Sequence, residues 1–359
     1  MDFSLSSTDN IYLIPPYLIE KKEKFIHEWE KVYKSDHIFL FSSGTTSKKL
    51  TSYAISKEAF LTNAKAVNDF LHASSDDIWF NPLPVFHVGG FAIFARAHLL
   101  GAKVIIKQYK GWDVAKFYDE LCASHASFTS LVPVQAHDLM THKLTPPPSL
   151  KGVFIGGDFL NDHLAQKLHE LNWPIIRTFG MTETCSQLAT SFYQPDDQGF
   201  IKLLPIFDLK DNQVKSPSLY SAKIIFDKAV QVEYQEGQSF ELKDELAMRR
   251  DDSGVAIKPL GRKDDALKIK GRLFYLSEIK NIIHSIFIEK GIYGQGEVFI
   301  DSQTANKSVT LLLEKSLKQR EAELRKEIVE QVPPLSSVLL FNYLDRIDKT
   351  SLHKIKNIK

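Results

Sequence analysis

Residues 151–184 read KGVFIGGDFLNDHLAQKLHELNWPIIRTFGMTET. GlyValPheIleGlyGly at 152–157 is a short apolar run that ends in two glycines. Residues 160–171 then place leucines and an alanine at helical spacing. IleIleArgThrPhe at 175–179 is a second apolar run, again followed by glycine. A strand, a helix and a strand in this order predict parallel strands joined by a right-handed crossover. Ligands on such sheets sit beyond the carboxyl ends of the strands, which makes 156–158 and 180–183 candidate site positions.

The alternation extends towards the N-terminus. Strands are predicted at 37–41, 77–81, 103–107 and 128–132, the last stopped by Pro133. Helices are predicted at 56–73, opening on Ser56, at 88–100 and at 113–124. Residues 17–33 are charged and helical in period. From about 200 to 258 the chain changes to short strands punctuated by Gly and Asp. GlyArgLysAspAsp at 261–265 reads as a hinge or linker. Beyond it, strands at 297–301, 308–314 and 337–342 and helices from Ser277 and over 317–331 form a compact α+β stretch. The expected fold is α/β: a large N-terminal domain over 1–260 with parallel-rich sheets and helices, and a smaller α+β C-terminal domain over 261–359.

Composition excludes several classes. The 359 residues carry a net charge of +1, so no global field favours nucleic acid or an anionic membrane. Two cysteines, Cys122 and Cys185, are too few for a disulfide framework or a cysteine-built zinc site, and a reducing compartment, the cytoplasm, is expected. The most apolar stretch, 91–106, is interrupted by Arg96, His98 and Lys103, so no membrane span is expected. The N-terminal residues lack the pattern of a signal peptide.

FSSGTTSKKL at 41–50 gathers small hydroxyl residues around Gly44, with cations just behind. Small residues let backbone N–H groups approach an anion, and hydroxyls add donors. The stretch reads as a phosphate cradle or as an ordinary polar loop, and it misses the GxxxxGK[ST] spacing of the common nucleotide loop.

Three segments line up in chain order: FSSGTTSKK at 41–49, FGMTETCSQ at 179–187, and GRKDDALKIKG at 261–271 followed by SerGluIle at 277–279. PLPVFHVGGFAIFARAHLLGA at 82–102 and IleGlyGlyAsp at 155–158 extend the set. Together they resemble the adenylate-forming (AMP-binding) family of acyl-CoA synthetases, from about residue 37 to the C-terminus. Within that family, the HisVal-x-Gly segment with its following arginine and MetThrGluThrCysSerGln are most similar to ligases for o-succinylbenzoate in menaquinone synthesis.

The resemblance implies a reaction in two steps. A carboxylate and ATP give an acyl-adenylate and pyrophosphate, and the thiol of coenzyme A then takes the acyl group. It also implies roles. Ser42, Ser43, Gly44, Thr45 and Thr46 would cradle pyrophosphate, and Glu183 would hold Mg2+, which prefers hard oxygen ligands. Thr182 would donate to the α-phosphate. Gly156, Gly157 and Asp158 would form the adenine wall, with Phe179, Gly180 and Met181 completing the nucleotide site. Asp244 and Arg262 would hold the ribose. His87 would line the acyl pocket, and Arg96 would meet a second, unactivated carboxylate. Lys268 and Gly271 would serve the thioester step, and Asp264 the hinge. Lys354 would supply the cation needed where two anions meet. Taken alone, Arg96 is either snorkelling to solvent or pairing with an anion, and Lys354 is one more lysine in a basic tail.

The chain also departs from the pattern. Ser47 replaces a glycine, Leu50 stands where a lysine is usual with Lys49 one place off, and His353 replaces another glycine. The loop begins at 42, where the family has well over a hundred residues first, so much of the usual N-terminal subdomain is expected to be missing. Dimerisation would offset the lost mass. Residues 200–245 are short and poorly matched. Another aryl or short-chain acid, and a homologue that binds nucleotide without ligating, remain open.

Overall fold

The alternation read between 77 and 179 is realised as a six-stranded sheet in the computed structural model, which describes residues 4–42, 49–107, 109, 111–237, 239–252, 254–262, 265–301 and 307–347. The strand order is Lys103–Ile106, Ile78–Asn81, Phe128–Leu131, Gly152–Ile155, Ile175–Phe179 and Ala189–Phe192. Every neighbouring pair is parallel except the last. Helices Val88–Leu100, Val114–Ser124 and Asp162–Glu170 lie between consecutive strands. A fourth helix, Pro133–Thr141, was not predicted; its proline sits in the first turn, where a missing N–H costs nothing. Side chains start the helices: Ser56, Asp113 and Asn161 each accept a backbone N–H three residues on. Trp79 fills the sheet's core against Phe128, with ring centroids 4.8 Å apart, and stacks on Phe154.

The predicted strand at 37–41 forms, but it leaves this sheet. It joins a five-stranded one in the order Ile11–Leu13, His37–Phe41, Leu50–Ser56, Ala222–Phe226, Val230–Tyr234. Only the first pair is parallel. The connection from Phe41 to Leu50 is too short for a crossover, so the next strand must run antiparallel. LTSYAIS at 50–56 is too rich in hydroxyls to signal a strand, yet Ser52 is fully buried and accepts the Trp29 indole N–H at 2.9 Å. Trp29 stacks on Phe39 at 5.3 Å and anchors the charged helix Lys22–Val32 to this sheet.

Past residue 200 come two small antiparallel sheets. The hairpin Ala266–Ile269 with Arg272–Tyr275 then leads into helix Leu276–Glu289. Residues 267–339 bury a hydrophobic cluster of their own around Ile283, Phe287, Leu311 and Leu324. No helix among the described residues is long and apolar enough to cross a membrane.

Helix Leu276–Glu289 docks on the start of helix Asp162–Glu170, where Asn161 Nδ2 donates to the Asn281 carbonyl at 2.7 Å and to Ser285 Oγ at 3.2 Å and the Asn281 side-chain amide adds three bonds. Asn281 Oδ1 accepts from the Asp162 backbone N–H at 3.0 Å and from Asn161 Nδ2 at 3.2 Å. Asn281 Nδ2 donates to Asp162 Oδ2 at 3.1 Å. Asn281→Ala removes these bonds without touching either core. Limited proteolysis between residues 258 and 272 should accelerate about tenfold, the worth of roughly one well-made hydrogen bond. An unchanged cleavage rate would show that the amide does not hold the two parts together.

Candidate active site

The carboxyl ends of the parallel strands open on a cavity of about 1180 Å³. Leu83 to Gly90 follow Ile78–Asn81, Val132 follows Phe128–Leu131, and Gly156, Gly157 and Asp158 follow Gly152–Ile155. Phe179 ends its strand and carries Gly180, Met181, Thr182 and Glu183 into the cavity. Ser42 comes from the five-stranded sheet, Asp244 and Arg262 from a small antiparallel sheet, and His87 and Arg96 from the start and middle of helix Val88–Leu100. Lys268 and Gly271 instead lie on the exposed hairpin and do not line the cavity. Ser43, Gly44, Thr45, Thr46, Asp264 and Lys354 lie outside the described residues. The flanks of the loop are described. Ser42 N–H donates to the Thr51 carbonyl at 3.0 Å, and Lys49 lines the cavity 2.9 Å from Asp227. Leu50, which stands at the usual lysine position, opens a strand opposite Phe226.

The turn after Phe179 is held from several sides. A Cβ on Gly180 would lie 1.7 Å from the Ser186 carbonyl oxygen, so only glycine fits. Ser186 N–H donates to the Met181 carbonyl at 3.2 Å, and Leu188 N–H to that of Phe179 at 2.8 Å. Cys185 and Ser186 take φ of 55° and 118°, an uncommon conformation for residues with a Cβ. Asn63, 1% exposed, donates from Nδ2 to the carbonyls of Thr184 at 3.2 Å and Gln187 at 2.7 Å. Burial pushes the Cys185 thiol up to about 12, which leaves it a packed side chain rather than a nucleophile.

Glu183 is gripped twice. Tyr53 O–H donates to its Oε1 at 2.5 Å, and Tyr220 N–H donates to its carbonyl at 3.0 Å. Burial raises the Tyr53 phenol pKa, reinforced by the carboxylate, so the hydroxyl stays a donor. No group of three or more His, Cys, Asp or Glu among the described residues could hold a metal ion. One carboxylate lining a cavity of about 1180 Å³, with room for phosphates and water, nonetheless fits magnesium, which keeps waters and shares its remaining sites with substrate phosphates.

Asp244 and Arg262 face each other across the pair Asp244–Asp251 and Gly254–Arg262. Burial raises the Asp244 carboxyl and the Arg262 charge opposes that rise. Lys280, also lining the cavity, lies 2.7 Å from Glu297. Burial disfavours both charges, but the Lys280 ammonium holds the Glu297 carboxyl below the usual range.

Arg96 does not snorkel. It is 2% exposed, lines the cavity, and its Nε and Nη2 have no hydrogen-bond partner. Its guanidinium sits 5.0 Å from the centre of the Phe154 ring. Burial pushes its pKa down to about 9, so it remains a cation at neutral pH. A buried cation facing a cavity with unfilled donors calls for an anion.

Several residues that shape the site escaped the sequence. Asn81 Nδ2 donates to the Gly90 carbonyl at 2.8 Å and its Oδ1 accepts Leu83 N–H at 3.1 Å, which fixes the segment bearing His87. Asn63 left a trace, a polar residue on the buried face shared by Phe60, Ala64 and Val67. Tyr53 leaves none, because LTSYAIS has no regular apolar alternation to mark its strand.

Gly180→Ala should cost about 1–3 kcal/mol, the usual penalty of forcing atoms into packed space. Gly111→Ala, with no atom within 4 Å of an added Cβ, is the control and should leave stability unchanged. Urea unfolding of both variants compares them, and equal stability would remove the steric account of the turn.

Residues 17–207, over half of the chain, match the model of the AMP-binding enzyme family, and the chain belongs to that family. It is 29% identical over 183 residues to the 2-succinylbenzoate–CoA ligase of Staphylococcus epidermidis, covering 50% of this chain and 38% of the relative. It is likewise 29% identical over 153 residues to the same ligase of Staphylococcus aureus, covering 42% and 30%. The chain therefore aligns with less than half the length of these curated relatives. Its fold is similar to o-succinylbenzoate CoA synthetase (MenE) from Bacillus subtilis in complex with the acyl-adenylate intermediate OSB-AMP. The TM-score is 0.70 at 19% identity, covering 89% of this chain and 67% of that one. It is also similar to McyG A-PCP complexed with phenylalanyl-adenylate, with a TM-score of 0.72 at 14% identity, covering 96% and 74%.

Proposed function

We propose that the chain is an ATP-dependent, AMP-forming acid–CoA ligase of the cytoplasm whose acid carries a second carboxylate, with o-succinylbenzoate as the substrate. Arg96 carries this reading. A guanidinium 2% exposed, lining the cavity with two unfilled nitrogens, is costly without an anion and well suited to a carboxylate that is not being activated. Phe154, 5.0 Å from the guanidinium, and Leu131 and Val132 on the same cavity wall suit an aryl ring. The Staphylococcus relatives, named for the same acid, support it further.

In this reading the cavity divides its work. Arg96 anchors the distal carboxylate, so the reactive one points towards Thr182 and the α-phosphate of ATP. Asp244 and Arg262 hold the ribose, and Phe179 offers a ring face to adenine. Glu183 would hold magnesium, which supplies charge neutralisation at the phosphates. Attack of the carboxylate oxygen on the α-phosphorus displaces pyrophosphate, with Lys354 as the cation between the two anions. The coenzyme A thiol then attacks the acyl carbon and AMP leaves. Residues 261–359 would reorient about the segment 261–265 between the two steps and bring in Lys268 and Gly271.

Pyrophosphate release with ATP, Mg2+, coenzyme A and a panel of o-succinylbenzoate, benzoate and octanoate tests the proposal. Release is expected with o-succinylbenzoate. Arg96→Ala should lower kcat/KM for that acid by roughly 10²-fold, the worth of a charge-assisted hydrogen bond pair, and leave any turnover of benzoate nearly unchanged. Release with octanoate alone would keep the ligase and discard the diacid. ATP binding without release on any acid would leave only a nucleotide-binding homologue.

A further inference from the structure

Tyr53 lies on strand Leu50–Ser56, three residues past the start of the strand that leaves the FSSGTTSKK segment. It is 5% exposed and lines the cavity. Its hydroxyl reaches across to the other sheet and donates to Glu183 Oε1 at 2.5 Å. That bond spans two elements 130 positions apart in sequence. The tyrosine ring is itself wedged. Tyr220 meets it edge-on at 5.2 Å, and Tyr220 packs in turn against Phe240 at 5.9 Å. The Tyr220 backbone N–H holds the Glu183 carbonyl at 3.0 Å. Main chain and side chain of Glu183 are thus fixed by two aromatic residues that also fix each other.

We propose that Tyr53 is a positioning residue for the magnesium carboxylate, holding Glu183 Oε1 so that Oε2 is presented to a hydrated divalent cation at the phosphates. This rests on the reading of Glu183 as the magnesium ligand. A carboxylate free to rotate loses entropy when it binds a cation, and a short O–H bond to one oxygen removes that loss in advance. The hairpin geometry gives the bond a second consequence. Ser42 N–H donates to the Thr51 carbonyl, so the strand bearing Tyr53 is in register with the flank of the proposed phosphate cradle. One hydroxyl therefore ties the turn bearing Glu183, which follows strand Ile175–Phe179, to a strand of the five-stranded sheet.

The test is direct binding of Mn2+, a paramagnetic substitute for Mg2+, to the full-length protein with a non-hydrolysable ATP analogue, read by electron paramagnetic resonance. Wild type, Tyr53→Phe, Glu183→Gln and the double variant are compared. Tyr53→Phe keeps the ring and its contact with Tyr220, and is expected to weaken Mn2+ binding about tenfold, the worth of one hydrogen bond to a charged group. The magnesium concentration that half-saturates pyrophosphate release should rise by a similar factor. In the Glu183→Gln background the tyrosine substitution should have no further effect, because its action runs through the carboxylate. Additive losses, or an unchanged Mn2+ affinity in Tyr53→Phe while Glu183→Gln loses it, would overturn the positioning role and leave the magnesium ligand standing. Unchanged Mn2+ binding in Glu183→Gln would overturn the magnesium reading itself, and the positioning role with it.

Discussion

The close approach of two backbone strands at Gly180 and Ser186 is the constraint on which the rest of the cavity depends. No side chain fits between them, and the residues that follow must enter the left-handed region to complete the turn. Such a turn is unfavourable in isolation and persists because its surroundings over-determine it. Asn63 reaches in from helix Lys57–Leu71, Tyr53 from the five-stranded sheet, and the Tyr220 backbone from the far side. The two sheets meet at this turn. Its rigidity carries Thr182 and Glu183 to the same cavity as Gly156 and Asp158, although the two segments belong to different strand ends.

The electrostatics of the cavity are divided by place. At the end lined by Phe154 stands a cation, Arg96, stripped of solvent and with Nε and Nη2 unfilled. Elsewhere along the wall the carboxylates of Glu183, Asp244 and Asp265 alternate with cations, among them Arg262, Lys49, Lys243, Lys258 and Lys280. Burial shifts the Asp244 carboxyl up, the Arg262 charge opposes that rise, and the Asp265 and Glu183 carboxylates add to it.

The contact between the larger and smaller parts of the chain is polar where it touches the cavity. Asn281 both donates and accepts at the start of helix Asp162–Glu170, and Asn161 Nδ2 donates to the Asn281 carbonyl and to Ser285 Oγ. Hydrogen bonds of this kind fix an orientation closely, yet each is individually weak in net terms. Away from the cavity the contact is apolar: Ile288 and Tyr293 pack with the cluster of Leu139, Leu164 and Leu168.

Much of the fold was legible in the sequence because it rests on local periodicity. The strands at 78–81, 128–131, 152–155 and 175–179 and the helices at 88–100 and 162–170 follow from apolar spacing, caps and glycine stops. The Gly180 to Glu183 segment and the Asp244 and Arg262 positions were legible as motifs, and the chain brings them to one cavity. What periodicity could not reveal was pairing. That His37–Phe41 turns back on LTSYAIS, and that Ala222–Phe226 returns to pair with it, depends on long-range register with no local signal. The hydroxyl of Tyr53, the amide of Asn63 and the unfilled guanidinium of Arg96 acquire meaning only from what lies opposite them. Residue types and spacing determined the sheet, the turn and the candidate chemistry. Only tertiary structure decided whether a polar side chain is paired, solvated or buried with an open valence, because that depends on neighbours remote in the chain.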